Sequence, residues 1–332
     1  MKSGFLKPKI FASRCLGFYP CRWDGVTAPN LLIDKLKKHV DFVTVCPEQE
    51  IGLGIPRGPI RIVSSGNQLR LKQFNTKKDI TRQMTKFAAA FLEELGEIDA
   101  FILKDRSPSC GIKNVKVYTN IESSAAISKT NGFFAREVIA RYARIPVESE
   151  ARLFNYKIRE AFLTKTFTLA DFRKIRKDCR IGDLVDFHSR NKFLLMSYSQ
   201  KSLPILGRIV AVHTKTKMNQ LFNQYEVYLK DALNRIPRGS NNINVITRCL
   251  GYFSKKISSD ERKFILNSLE EYRRQHVPLS VPINILRSYS IRFKIKYLLR
   301  QTYLTPYPPD LAGLADCGKG RKIETIRRDE GR

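Results

Sequence analysis

Long apolar runs are absent from this 332-residue chain, and no segment reaches the roughly 18 apolar residues that a membrane span needs. An apolar leader is also missing, because residues 1–8 are few and include two lysines. There is no internal repeat, and the glycine-rich segment 52–61 lacks the lysine and hydroxyl pair of a phosphate-binding Walker loop. The lack of an apolar span and of an apolar leader argues against membrane insertion and predicts a cytoplasmic protein.

Acidic residues are scarce: 31 Asp and Glu stand against 60 Lys and Arg, which gives a net charge of +29. Residues 1–150 contain 24 basic and 15 acidic residues, whereas residues 151–332 contain 36 and 16, so the excess lies mainly in the second half. A field of this sign attracts polyanions such as nucleic acid. The basic residues are dispersed and form no recognisable nucleic-acid-binding motif. The charge is therefore consistent either with RNA binding or with a generally basic protein.

Residues 8–150 alternate strand-like and helix-like segments, a pattern typical of βαβ units. This order predicts an α/β fold: an N-terminal Rossmann-like domain whose mainly parallel sheet is flanked by helices. The predicted strands cover residues 9–14, 42–45, 60–63, 100–103 and 145–148, and the predicted helices cover residues 28–40, 79–95 and 133–142.

Beyond residue 155 no strong strand pattern remains, and the apolar spacing predicts an all-α C-terminal domain. Thr168 and Ser258 begin sequences typical of helix N-caps. The predicted helices cover residues 157–162, 168–179, 182–199, 205–214, 219–233, 241–253, 258–276 and 282–289. We divide the chain into a domain at 7–155, a helical linker at 156–184, an all-helical domain at 185–311 and a basic tail at 312–332, which lacks a periodic apolar face and is predicted to be disordered.

Three of the seven cysteines, Cys15, Cys46 and Cys110, each follow a predicted strand. An odd number of cysteines without a secretory leader favours free thiols or metal ligands over disulfides. Because the carboxyl ends of parallel strands line one crevice, these three thiols are expected to meet there. Three thiolates and one open position suit either catalytic zinc or an iron–sulfur cluster, and their spacing, which has no Cys-x-x-Cys pair, leaves both open.

Polar residues beside these cysteines are candidates for catalysis. Glu48 lies two residues after Cys46, where a carboxylate can transfer protons beside a metal. Ser107 and Ser109 precede Cys110 and can donate hydrogen bonds to sulfur or to a substrate carbonyl.

Two further features of the N-terminal half have less specific interpretations. Arg57 and Arg61 in the glycine-rich segment can clamp an anion or a planar polar group, or can serve the structure alone. Cys21 can be a spare thiol, a fourth ligand or a packing residue, and we favour packing within its loop.

Five motifs occur in order at residues 13–17, 21–25, 46–48, 52–57 and 103–111: Ser-Arg-Cys-Leu-Gly, Cys-Arg-Trp-Asp-Gly, Cys-Pro-Glu, Gly-Leu-Gly-Ile-Pro-Arg, and the segment from Leu-Lys to Ser-Pro-Ser-Cys-Gly. With this set, about residues 7–155 closely resemble the thiouracil desulfurase family, also called domain of unknown function 523. The second half resembles the companion domain of unknown function 1722 over about residues 185–311. That likeness rests on the segments 187–196, 251–253 and 303–308.

The first resemblance implies an enzyme that acts on a C=S bond. Its family binds a 4Fe–4S cluster through three cysteines, which align with Cys15, Cys46 and Cys110. The iron without a protein ligand takes the sulfur of a thiolated pyrimidine such as 2-thiouracil, and water completes a non-redox reaction that yields uracil and hydrogen sulfide.

The resemblance also implies roles for polar residues. The catalytic carboxylate falls on Glu48 and the catalytic serine on Ser107, with Ser109 as the other candidate. Trp23 stands where a tyrosine is usual, a difference that concerns substrate shape rather than cluster binding. The natural substrate, whether free base, nucleoside or RNA, and the role of the helical domain stay open.

Two other functions are consistent with the residues. One is an RNA-associated protein, such as a tRNA binder, that uses its basic C-terminal half, where we single out His188, Lys192 and residues 287–300. It can coexist with desulfuration if that half delivers thiolated RNA to the cluster. The other is a zinc hydrolase that uses the same three cysteines.

Overall fold

The computed structural model describes residues 4–212 and 217–312, and the predicted tail lies outside the described residues except for Ala312. An α/β part with two sheets is followed by a helical part, which confirms the predicted fold class. The strands are β1 (Lys9–Ser13), β2 (Asp41–Val45), β3 (Ile60–Ser65), β4 (Gln68–Gln73), β5 (Ala100–Leu103), β6 (Val115–Tyr118), β7 (Ala126–Thr130) and β8 (Val147–Ser149).

Helices flank the sheets and then continue to the end of the described chain. The N-terminal part contains α1 (Leu31–Leu36), α2 (Pro47–Glu50), α3 (Thr81–Glu94) and α4 (Phe133–Arg141). The helical part contains α5 (Tyr156–Asp178), α6 (Ile181–Arg190), α7 (Lys192–Tyr198), α8 (Ser202–Ala211), α9 (Met218–Ala232), α10 (Gly239–Leu250), α11 (Ser259–Arg273), α12 (Ser280–Arg292) and α13 (Lys296–Leu299). Short 3-10 helices occupy Arg152–Phe154, Thr302–Leu304 and Pro309–Ala312. Within the described residues, none of these helices combines the length and apolarity that a bilayer span requires.

The first sheet is wholly parallel, with the strand order β2-β1-β5-β8. Its central strands β1 and β5 are almost entirely buried, as expected where helices cover both faces of a parallel sheet. Ser13 at the end of β1 lies opposite Val45 at the end of β2, so the turns after these strands leave the sheet at the same edge. Because β5 is parallel to β1, the turn after β5 reaches that edge too.

The second sheet is mixed and has the order β4-β3-β6-β7. Of its strands, the sequence pattern predicted β3 but not β4, β6 or β7. The strands β4 and β7 are edge strands that pair antiparallel with their neighbours, and β7 has almost no buried side chain. Such strands carry few apolar residues, because they form hairpins at the surface rather than a buried layer.

The long helix α5 contributes to two hydrophobic cores. Phe162 in its first half packs into the core beside the first sheet, and Phe172 in its second half packs into the core of the helical part. The sequence predicted separate helices at 157–162 and 168–179. One continuous helix forms instead, and it is difficult to recognise from apolar spacing because it buries side chains on several faces.

The two predicted N-caps have opposite outcomes. Ser258 is confirmed as the cap of α11, where its side chain and that of Glu261 form a reciprocal capping box. The prediction for Thr168 is wrong, because this residue lies inside α5 and its hydroxyl donates to the carbonyl oxygen of Thr164 at 2.7 Å.

The end of the described chain returns to the first core. Tyr307 and Leu311 are buried there with Ile33 and Leu36 of α1. Next to them, His39 Nε2 lies 2.6 Å from Asp310 Oδ2. The core beside the first sheet is therefore built from residues near both ends of the described chain.

Asp99 joins the first sheet to the helical part, and we expect Asp99→Ala to destabilise the protein. Its carboxylate, 3% exposed, accepts the backbone N–H of Lys9 at 2.7 Å and pairs with Arg173 Nη2 of α5 at 2.9 Å. Removing it leaves both donors without this partner, so the free energy of unfolding should fall by about 2–3 kcal/mol in urea denaturation.

The matched control is Glu97→Ala. The exposed Glu97 carboxylate lies 3.8 Å from the exposed Lys177 ammonium. Loss of such a surface pair should cost at most about 0.5 kcal/mol. Equal destabilisation by the two substitutions would contradict the assigned role of Asp99.

Candidate functional site

A cavity of about 350 Å³ lies at the carboxyl edge of the first sheet. It is bounded by the turns after β1, β2 and β5 and by the glycine-rich segment. Cys15, Cys46 and Cys110 all line it, so the structure brings the three strand-end thiols to one place. Cys21 lines the same cavity and is fully buried.

Local backbone structure places the first two cysteines. Cys15 lies in a tight turn, where its carbonyl oxygen accepts the N–H groups of Gly17 at 2.9 Å and Ala28 at 2.7 Å. Gly17 has a φ of 79°, a left-handed conformation that favours glycine. Cys46 is the N-cap residue of α2, and Pro47 follows at the first helical position, where a missing N–H costs nothing.

The turn that carries Cys110 is held against the start of α4. The Ser107 hydroxyl oxygen accepts the N–H groups of Ser109 at 3.3 Å and Cys110 at 3.1 Å. Gly132 precedes α4 and packs so closely on this turn that a Cβ atom would collide with the Ser109 backbone. In return, the Ser109 carbonyl accepts the N–H of Ala135 at 3.1 Å in the first turn of α4.

The thiols of the cavity are shielded from water and interact with one another. A hydrogen bond with Cys15, together with burial, raises the pKa of Cys21 to about 11. A hydrogen bond with Cys21, together with burial, raises the pKa of Cys46, and burial raises the pKa of Cys110 to about 12. These three thiols are therefore protonated near neutral pH in the metal-free protein, and metal binding must release protons.

Glu48 is held from both sides by hydrogen bonds. Its Oε2 accepts Arg57 Nη2 at 2.6 Å and Nε at 3.1 Å, and its Oε1 accepts the Ser109 hydroxyl at 2.6 Å. The Arg57 side chain is 3% exposed and also donates to the Cys21 carbonyl at 3.0 Å. Arg57 is thus engaged with Glu48, and the carboxylate has a fixed orientation at the cavity wall.

The two serines differ in their contacts. Ser109 is buried, and its hydroxyl also lies 3.7 Å from Cys110 Sγ. Ser107 is half-buried and lies 3.4 Å from Glu48 Oε1, with its hydroxyl 2.9 Å from that of Ser109. Ser109 therefore makes the short contact with the carboxylate, whereas Ser107 is the more accessible hydroxyl.

Charged and aromatic side chains form the mouth of the cavity. Trp23 is 50% exposed there and lies beside Arg22, which pairs with Asp24 at 2.9 Å. On another wall, Lys104 forms an ion pair with Glu150. A flat, accessible ring at the mouth is suited to stacking on a planar heterocycle.

The donor set suits a thiophilic metal centre, because all four cysteines offer soft sulfur ligands. Within residues 4–212 and 217–312, no group of three or more His, Cys, Asp or Glu side chains is arranged to hold a single metal ion. A 4Fe–4S cluster does not require such convergence, since each cysteine binds a different iron atom. The lining is therefore compatible with a cluster held by several thiols.

Two features of the cavity are not evident from the sequence pattern. Cys21 does not follow a strand, and its entry into the cavity depends on the path of the loop after β1. The pairing of Arg57 with Glu48 depends on how two loops meet. Arg61, by contrast, donates to the carbonyl oxygens of Ile121 at 3.1 Å and Ser123 at 2.8 Å, away from the cavity.

The residues singled out in the helical part lie elsewhere. The His188 ring is half-buried, and its Nδ1 lies 3.0 Å from the hydroxyl oxygen of Tyr225. Burial, with a smaller contribution from Lys192, lowers the pKa of His188. His188 is therefore a packed residue, whereas Lys192 is exposed.

Comparisons with known proteins find family matches in two separate parts of the chain. A family model described as 2-thiouracil desulfurase matches residues 10–150, and one described as a protein of unknown function, DUF1722, matches residues 192–308.

The uncharacterized protein YbgA of Escherichia coli strain K12 is 27% identical over 151 residues, which are 45% of this chain and 89% of that protein. The uncharacterized protein YbbK of Bacillus subtilis strain 168 is 36% identical over 111 residues, 31% of this chain and 72% of that protein. A solved structure of TudS, a 4Fe–4S-dependent thiouracil desulfidase, is 26% identical in sequence and aligns with a TM-score of 0.35. The alignment covers 44% of this chain and 93% of the TudS chain.

Proposed function

Because this chain belongs to the 2-thiouracil desulfurase family and also carries a domain of unknown function 1722, we propose that it is an enzyme that removes sulfur from a thiolated pyrimidine. In this reaction water replaces the C=S bond by C=O, and hydrogen sulfide leaves without net electron transfer. The observation that carries the proposal is one cavity that combines four buried thiols with an oriented carboxylate and two serines.

We propose Cys15, Cys46 and Cys110 as the ligands of a 4Fe–4S cluster in this cavity. Their soft sulfur atoms and their positions around one cavity suit such a cluster. When bound, a cluster with one iron free of protein ligands supplies a Lewis-acid site for a soft thiocarbonyl sulfur. Cys21 contacts the same thiols and is the candidate for a supporting role.

The side chains around the thiols can carry the proton transfers. Glu48 is placed to accept a proton from the attacking water, because Arg57 and Ser109 fix the direction of its carboxylate. Ser107 is placed to donate a hydrogen bond to the carbonyl oxygen of the pyrimidine. Trp23 at the mouth offers a ring on which the base can stack.

The direct test is the assay of anaerobically purified full-length protein with 2-thiouracil. We expect release of uracil and hydrogen sulfide in equal amounts, together with iron and acid-labile sulfide in the protein. A protein that holds iron and sulfide but releases no sulfide from any thiolated pyrimidine would refute the substrate class. A protein that holds zinc instead would support the hydrolase alternative.

The two serines should give different kinetic effects. We expect Ser107→Ala to lower kcat/KM about tenfold to a hundredfold, because the hydroxyl proposed to bind the substrate oxygen is lost. Ser109→Ala should instead lower kcat with little change in KM, because it removes the short hydrogen bond that orients Glu48. Steady-state sulfide release over a range of substrate concentrations measures both effects, and identical changes in kcat and KM for the two variants would contradict this division of roles.

A second candidate function is RNA binding by the helical part, and the charge distribution favours it. Residues 151–332 contain 36 basic and 16 acidic residues. An electrostatic complex with RNA weakens as salt rises, because phosphate contacts release counterions. Titration of the full chain with transfer RNA at several salt concentrations tests this idea, and affinity that does not change with salt would contradict it.

A further inference from the structure

A second cavity, of about 290 Å³, lies between the α/β part and the helical part. Its walls come from α4, from the segment that leads into β8, from α5, and from the turn after α9. It lies near the amino end of β8, whereas the thiol cavity lies at the carboxyl edge of the same sheet. The two cavities share no lining residue.

Most side chains that line this second cavity are apolar. Helix α5 presents Ile158, Ala161 and Phe162 on one face, at the three- and four-residue spacing that places side chains together. Ile139 of α4 lies on another wall, and Ile236 at the rim is 50% exposed.

Lys165 is the cationic side chain on this lining. It lies on the same face of α5 as Phe162 and is half-buried. Among the residues that the structure describes, its ammonium has no hydrogen-bond or ion-pair partner. Glu148, the carboxylate of the lining, is instead paired with Arg152 Nε at 2.7 Å and Nη2 at 3.3 Å.

Burial lowers the pKa of Lys165, and Glu148 partly opposes this effect. A half-buried ammonium without a partner loses part of its hydration, and no hydrogen bond repays that loss. An anionic group placed beside it would remove that cost. The geometry therefore favours a ligand that brings a negative charge to Lys165 in a cavity where most, but not all, of the lining side chains are apolar.

We propose that this cavity binds a small monocarboxylate with an apolar body, whose carboxylate pairs with the Lys165 ammonium. One cation and the exposed Asn234 amide suit a single carboxylate, whereas a phosphate dianion is usually held by several donors. The Glu148 carboxylate disfavours a second negative charge nearby. The volume is close to the lower end of ligand cavities, about 300 Å³, so the apolar body should have only a few carbon atoms.

The test uses the full-length protein and hexanoate as the probe, with hexanamide as its uncharged counterpart. Calorimetric titration should show saturable binding of hexanoate at one site. The affinity for hexanamide should be lower by about tenfold or more. Lys165→Met should remove this difference. Absence of saturable hexanoate binding to the wild-type protein, equal binding of the two probes, or tighter binding of inorganic phosphate would overturn the proposal.

Two further variants separate the cavity from general surface charge. Ala161→Phe keeps Lys165 but should abolish hexanoate binding, because the added phenyl ring fills the cavity between α4 and α5. Lys174→Met removes an exposed lysine from the same helix and should leave binding unchanged. Equal loss of binding in Lys165→Met and Lys174→Met would show a non-specific charge effect and refute the site.

Discussion

Replacement of Cys15, Cys46 and Cys110 together by alanine is expected to yield a protein without iron or acid-labile sulfide. These side chains line one cavity at the carboxyl edge of the parallel sheet, and alanine offers no donor to a metal. Iron and sulfide should fall from near stoichiometric amounts to background, and desulfuration should be lost with them. Elemental analysis and the absorption spectrum of anaerobically purified protein measure this result.

The control for this experiment is Cys249→Ala. Cys249 is as deeply buried as the cavity cysteines, but it lies in the core of the helical part. We expect it to keep full iron content, so that any loss in the triple variant is specific to the cavity. Full retention of the cluster in the triple variant would refute the ligand assignment. Cys21→Ala, tested alongside, distinguishes a fourth ligand from a supporting thiol.

Replacement of Glu48 by glutamine is expected to slow desulfuration and leave the cluster in place. Glutamine keeps the shape of the side chain but cannot accept a proton from water, and loss of general-base catalysis typically costs about 10²–10⁴-fold in rate. The iron content should not change, because the proposed ligands are untouched. Single-turnover sulfide release, normalised to iron content, measures the effect on chemistry alone.

Glu50→Gln is the matched control for Glu48→Gln. Glu50 belongs to the same short helix, but its carboxylate is exposed and lies 3.3 Å from Arg14. Its replacement should change the rate by less than about threefold, because an exposed ion pair contributes little. Similar losses in the two variants would indicate damage to α2 rather than loss of a proton acceptor.

The centre of the parallel sheet could be predicted from the sequence because its two central strands are almost entirely buried. The apolar runs that become β1 and β5 stand out against their polar flanks. The strands β4 and β7 do not stand out, because their side chains alternate toward solvent or are nearly all exposed. Edge strands that depend on a neighbour for pairing leave little trace in composition.

The site was predictable to the extent that sheet topology determines it. Parallel strands direct their carboxyl ends to one edge, which is why Cys15, Cys46 and Cys110 could be grouped from the sequence alone. The partnership of Glu48 with Arg57 was not predictable, because it depends on the paths of loops rather than on strand direction.

The return of Tyr307 and Leu311 to the core beside the first sheet has a consequence for biosynthesis. On the ribosome, the α/β part emerges long before these residues do, and its surface around α1 must remain exposed until the helical part has been translated. Truncation between the two family-matched regions would leave the same apolar surface uncovered. The α/β part therefore completes its packing only when nearly all of the described chain has been made.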